Sequence, residues 1–167
     1  MASPPGEEAF EKLAALAEEY PRVWKTFGPV DNEVVEAVEA RLELRLPRSY
    51  RLFLLRHGFA IMWGCCINGI QRDSTVNNPV SSLLRDTERG RVRGDIPRDC
   101  LYIEDRDESD ILLDISQMKD GEAPIIEVPI GTSPQDVDRT PISPSFAEYY
   151  LAQLTEMIEY LKEIGKL

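Results

Sequence analysis

Apolar positions near the start of the chain recur at helical spacing. Phe10, Leu13, Ala14, Ala17 and Tyr20 share one face, with Glu and Lys on the other, which predicts an amphipathic helix ended by Pro21. A second helix follows Asp31, whose short carboxylate suits an N-cap; its buried stripe is Val35, Val38 and Leu42. Leu46-Pro47 interrupts the pattern. Pro47 suits the first turn of a third helix, because it lacks an N–H that this turn would leave unused. Tyr50, Phe53 and Leu54 form that helix's core face, and Gly58 is the expected left-handed C-cap.

The period then shortens. From Phe59 to Ile70 the chain is apolar and punctuated by Gly64 and Gly69, which predicts two short strands or one bent strand. Asn78-Pro79 suits the opening of a short helix carrying Val80, Leu83 and Leu84. Leu101–Ile103 and Ile111–Asp114 read as paired strands around a polar turn from Glu104 to Asp110. Pro124–Pro129 predicts another strand, kept to an edge by its prolines. After a Pro-, Ser- and Thr-rich loop over 131–144, Ser145-Phe146-Ala147-Glu148 fits a capping box. Phe146, Tyr150, Leu154, Met157, Leu161 and Ile164 then follow at helical spacing, predicting a long final helix. Helices, strands, then a helix predict an α+β fold with a mainly antiparallel central sheet. A length of 167 residues fits a single domain over 1–167 that buries enough surface to fold without disulfides or metal.

Charge adds a polarity to this layout. The net charge is −11, unevenly placed: residues 47–99 are net +4, with Arg as every basic residue, and residues 100–167 are net −10. An acidic exterior repels phosphate backbones, which argues against nucleic-acid binding. No apolar stretch approaches the length of a membrane span, and Met1–Glu8 has no signal-peptide pattern. Three Cys, two of them adjacent, do not make a secreted disulfide framework, so a reducing cytoplasm is the expected location.

Candidate chemistry is sparse. No phosphate-binding loop and no nucleophile elbow occurs. A pair formed by His57, the only histidine, with Cys65 or Cys66 would be nucleophilic, but His57 falls at a helix end, where an imidazolium complements the dipole. Cys65 and Cys66 lie in an apolar run and are expected to behave as small buried hydrophobes. With Cys100 they lack the C-x-x-C spacing of a zinc site. Asp105–Asp110 starts like a calcium loop, but Asp110 stands where Gly is required and Ser116 where Glu is required. Trp24 and Trp63 are expected as core or interface anchors. No catalytic, cofactor-binding or metal-ligating residue is therefore assigned. Glu104, Asp105, Asp107, Glu108 and Asp110, five acids in seven positions, remain as a candidate contact surface for a protein partner.

The order of motifs resembles the SUKH superfamily, which includes the yeast cell-wall assembly regulator Smi/Knr and many bacterial immunity proteins. The resemblance rests on Leu46-Pro47 with Tyr50, Phe53 and Leu54, on His57-Gly58, and on Ile67-Asn68-Gly69-Ile70. It continues through Ile96-Pro97-Arg98-Asp99 before a strand, a hairpin from Ile111 to Ile125, and Ser145-Phe146-Ala147-Glu148 opening the last helix. His57 departs from the Asn usual there, which a C-cap tolerates. The resemblance implies a family core over 30–155, an added N-terminal helix within 1–29, and the end of the last helix over 156–167. It also implies a non-enzymatic, cofactor-free protein-binding domain: an immunity protein that silences a co-encoded toxin such as a nuclease, or a regulatory scaffold.

Overall fold

The computed structural model describes residues 2–167. Helix α1 (Pro5–Glu19) leads through a short strand β1 (Trp24–Thr26) to α2 (Asn32–Leu42) and α3 (Arg48–His57). Strands β2 (Ala60–Met62) and β3 (Cys65–Ile67) pair antiparallel with β1 in the order β1-β2-β3. Helix α4 (Ser82–Arg93) crosses to a second antiparallel sheet, β4 (Cys100–Asp105), β5 (Ser109–Asp114) and β6 (Ile125–Pro129), ordered β4-β5-β6. Helix α5 (Phe146–Glu163) closes the chain. The fold is α+β, as its sequence pattern predicts. Asn68 N–H donates to Ile103 C=O at 2.8 Å and ties the end of β3 to β4.

One continuous core runs from α1 to α5. Phe10, Leu13, Val35, Tyr50, Phe53, Leu54, Phe146 and Tyr150 are fully buried in it. Leu101, Ile103, Ile111, Leu113 and Ile125 face the same core from the second sheet. The opposite face of that sheet carries Cys100, Leu112, Ile126 and Val128, covered by Ile96 and Val137. This alternation is what a strand buried on both faces requires.

Helix ends follow local chemistry, with differences from the sequence pattern. Asp31 caps α2 without any side-chain hydrogen bond. Pro47 is the N-cap of α3 and not its first turn. Gly58 has φ +71° but ψ −73°, outside the left-handed helical well. It packs against Gly28 and the carbonyl of Ile70, and glycine suits both the dihedral and the approach. Helix α4 does not begin at Asn78-Pro79. The Ser81 hydroxyl accepts from Leu84 N–H at 3.1 Å and starts the helix three residues later, leaving Val80 outside and exposed. The helix is also longer than expected, because Thr87 and Gly90 complete its buried face and hide the apolar period. Ser145 caps α5 by accepting from Glu148 N–H, but the Glu148 carboxylate returns to the Ser145 hydroxyl instead of a backbone N–H. A neighbouring orphan donor, Ala147 N–H, is satisfied by Ser49 on α3. Ile164 lies past the last turn and is exposed.

Candidate functional site

The five-acid segment divides in three. Strands β4 and β5 extend into it, so the turn proper is only Arg106-Asp107-Glu108. A β-bulge between Tyr102 and Glu104 inserts Ile103 and pairs Glu104 with Ile111. Partners across a ladder share a face, so Glu104 points into the helix-covered core. It is 1% exposed, accepts from the Tyr150 hydroxyl at 2.7 Å and is paired with Arg106 at 3.2 Å. Glu104 is thus a correction to the expected contact surface: a buried carboxylate held by two donors is not available to a partner. Asp110 is half-buried and accepts from the Tyr102 hydroxyl. Burial raises its pKa, against the lowering effect of that hydrogen bond. Asp105, Asp107 and Glu108 are exposed. Arg106, the one cation of the turn, is turned inward, bonded to Glu104 and Gln153 and lying over the Tyr149 ring. The solvent-facing charge of the turn is therefore acidic.

Strand β3 packs against β4, with Asn68 N–H bonded to Ile103 C=O. The charges of Glu104, Arg106 and Asp107 all reach the Cys65 thiol. Trp63-Gly64 form a two-residue loop between the paired residues Met62 and Cys65. Both have positive φ, +45° and +91°, the combination of a type I′ turn. Trp63 is 45% exposed, whereas Trp24 is buried in the core. Cys65 and Cys66 are exposed as well, a correction to their expected burial. Strand β3 is a three-residue edge strand at a hairpin end, too short for its residues 65 and 66 to be covered on either face.

Neither exposed thiol is activated. Desolvation is the main cause that raises the pKa of Cys65, with Glu104 adding to it; desolvation and then Asp86 raise that of Cys66. Cys100 is buried and pushed up to about 12, chiefly by burial and next by Asp114. His57 is structural, but not as an imidazolium at a dipole. Its Nδ1 accepts from the Trp24 indole at 3.2 Å and its ring packs against Phe10, Trp24 and Phe53. Burial, helped by the Arg56 charge, lowers its pKa to about 4, so the ring is neutral. Asp99, Cys100 and Asp114 bring metal-type ligand atoms within 4.8 Å of one another. The guanidinium of Arg139 lies on them, 2.9 Å from both Asp99 and Asp114. A cation is thus already supplied by the chain, and these residues serve a partly exposed ion-pair cluster in which only the Asp114 carboxylate is fully buried.

The Arg-rich middle segment gathers on α4. Arg85, Arg89 and Arg93 follow at a four-residue interval, are exposed, and line a cleft of about 310 Å³ together with Asp86, Asp95 and Asp105. Arg85 pairs with Asp86, Arg41 with Glu88, and Arg91 caps the Leu42 carbonyl, so much of this charge is consumed internally. No helix among the described residues is long and apolar enough to cross a membrane.

Among the described residues, five helices and two antiparallel sheets, closed by a capped C-terminal helix, define an α+β domain. The family model SUKH_6, described as SMI1-KNR4 cell-wall, matches residues 32–150, and the chain belongs to this family, within the SUKH superfamily. The matched stretch begins after α1 and β1.

Proposed function

We propose that this protein is a non-enzymatic immunity protein of the cytoplasm that neutralises a co-encoded toxin by binding it directly. The observation that carries the reading is the rigid β4–β5 turn, where Asp105, Asp107 and Glu108 face solvent while Arg106 is held inward. A toxin that acts on nucleic acid needs a basic substrate face, and an acidic blocker gains association rate and selectivity from complementary charge. The family fold supports a binding role, and no thiol has the lowered pKa that a nucleophile needs. Helix α1 is then an addition to the family core that shapes the partner surface without changing the chemistry.

The test is co-expression with the toxin domain encoded by the adjacent gene. Rescue of growth and a stoichiometric complex are expected. The combined variant Asp105→Asn, Asp107→Asn, Glu108→Gln should slow association at low salt, with the deficit shrinking as salt rises. An unchanged association rate at low salt would move the binding face elsewhere. A second reading is a regulatory scaffold of the Smi/Knr kind, favoured by the description of the matching family. An adjacent gene that encodes no toxin, with growth defects on deletion of this gene alone, would select it.

A further inference from the structure

We infer that Trp63 is the anchor of a protein-docking surface formed by the two hairpin ends, and that its occupant is a partner segment pairing arginine or lysine with apolar side chains. The inference deepens the binding reading above and rests on it for the existence of a protein partner.

Trp63 breaks a local rule. The first position of a type I′ turn favours Asn, Asp or Gly, which tolerate positive φ. A tryptophan there, at φ +45°, is strained, and its side chain is 45% exposed instead of buried in the core. Neither turn geometry nor core packing accounts for the residue. Its backbone is nonetheless fixed: Trp63 N–H donates to Val23 C=O at 2.8 Å, and Met62 pairs with Cys65 beneath it. The ring is thus presented on a rigid support, with little ordering left for binding to impose.

The surroundings define the partner. The bond from Asn68 N–H to Ile103 C=O holds the end of β3 along β4, and the charge of Asp107 reaches Cys65, two residues from Trp63. Arg106 is engaged inward, and Asp105, Asp107 and Glu108 face solvent. An exposed aromatic and exposed carboxylates on packed neighbouring strands suit a cation beside apolar groups, since a ring face attracts a cation and carboxylates complete its charge pairing. Tryptophan is also among the residues enriched at binding hot spots.

The experiment is selection of a phage-displayed random-peptide library on the folded protein, with Trp63→Asn and Val92→Asn as comparisons. Val92, 88% exposed on α4, serves as the exposed apolar control. Selected peptides should be rich in Arg or Lys beside Leu or aromatic residues. Trp63→Asn should weaken them by about tenfold or more, as loss of a hot spot does, while Val92→Asn leaves them unchanged. Trp63→Asn should melt at or above the wild-type temperature, because Asn relieves the turn. Peptides indifferent to Trp63, peptides without cations, or no selected peptide would each overturn the inference. A lowered melting temperature would assign Trp63 a packing role and overturn it too. Self-association in sedimentation that Trp63→Asn abolishes would replace the partner with a second copy. Because the library contains no toxin, failure of toxin neutralisation overturns the immunity reading alone. Failure of the selection overturns this docking surface alone.

Discussion

Glu104 shows how far one side chain's role depends on a single inserted residue. Strict alternation from Leu101 and Ile103 sends Glu104 to the outer face, and the surrounding acids make it look like surface charge. The bulge at Ile103 reverses its direction, and no property of Glu104 itself signals the change. Its partners, Tyr150 and Arg106, come from α5 and from the turn. Glu104→Ala should leave the Tyr150 hydroxyl unpaired and destabilise the fold by about 3 kcal/mol, the low end for breaking a buried pair, since Arg106 is partly hydrated. Urea denaturation measures this, and a loss below about 0.5 kcal/mol would show that the buried pair contributes nothing net. His57 makes a pH prediction. Its folded pKa of about 4 lies below the unfolded value near ~6.5, so its contribution is complete above ~6.5 and is lost as pH falls toward 4. The loss reaches roughly 3 kcal/mol. Glu122 and Asp110, raised chiefly by burial, act in the opposite sense, with stability lost as pH rises through their folded values. Unfolding free energies from pH 4 to 7 for wild type and His57→Gln isolate the histidine, and equal slopes would contradict its buried neutral state. Thiol alkylation near neutral pH should be slow at Cys65 and Cys66 and absent at Cys100 until unfolding. Mass spectrometry locates the label, and fast reaction at any one would reveal an activated thiol.

At the scale of elements, the legible parts are those with a sustained apolar period. Only α5 among helices α1, α2, α3 and α5 has a side-chain N-cap, but all four have that period. Strand β1 does not: its three residues carry no period and exist because β2 offers a partner edge. Helix α4 was half legible, since Leu83 and Leu84 show in the pattern while Thr87 and Gly90, buried in place of apolar residues, do not. Of the candidate surface, the acidic turn could be read from composition. The adjacent Trp63 could not, because its neighbourhood depends on β3 lying against β4. Element ends can be tested singly. Ser145→Ala removes the cap of α5 and should cost about 1 kcal/mol, measured by thermal unfolding. Phe53→Ala in α3 should cost roughly 3–5 kcal/mol, because the ring is fully buried among Trp24, Tyr50 and Phe146.

For the whole molecule, the stretch outside the family match is not a detachable appendage. Phe10 and Leu13 of α1 are fully buried, and α1 packs chiefly against α5. Glu122 reinforces the join. Its carboxylate accepts from Ser49 N–H at 2.9 Å and from the Ser49 hydroxyl at 2.8 Å, and it lies so close to Gly6 that any side chain at position 6 would collide with it. The first turns of α1 and α3 thus converge on one anion, which their dipoles favour. Deletion of residues 1–22 should abolish cooperative thermal unfolding, as followed by circular dichroism. A truncated chain that melts like the full one would make α1 dispensable.

The pairing of α1 with α5 also constrains synthesis. The apolar face of α1 emerges from the ribosome well before its principal cover, α5. Until the residues between Glu19 and Phe146 have been translated, α1 lacks its principal partner helix, and its apolar face is open to transient non-native contacts or a chaperone. A fold closed by contacts of such large sequence separation assembles slowly. Its supply then depends on translation of α5 rather than on early cotranslational folding.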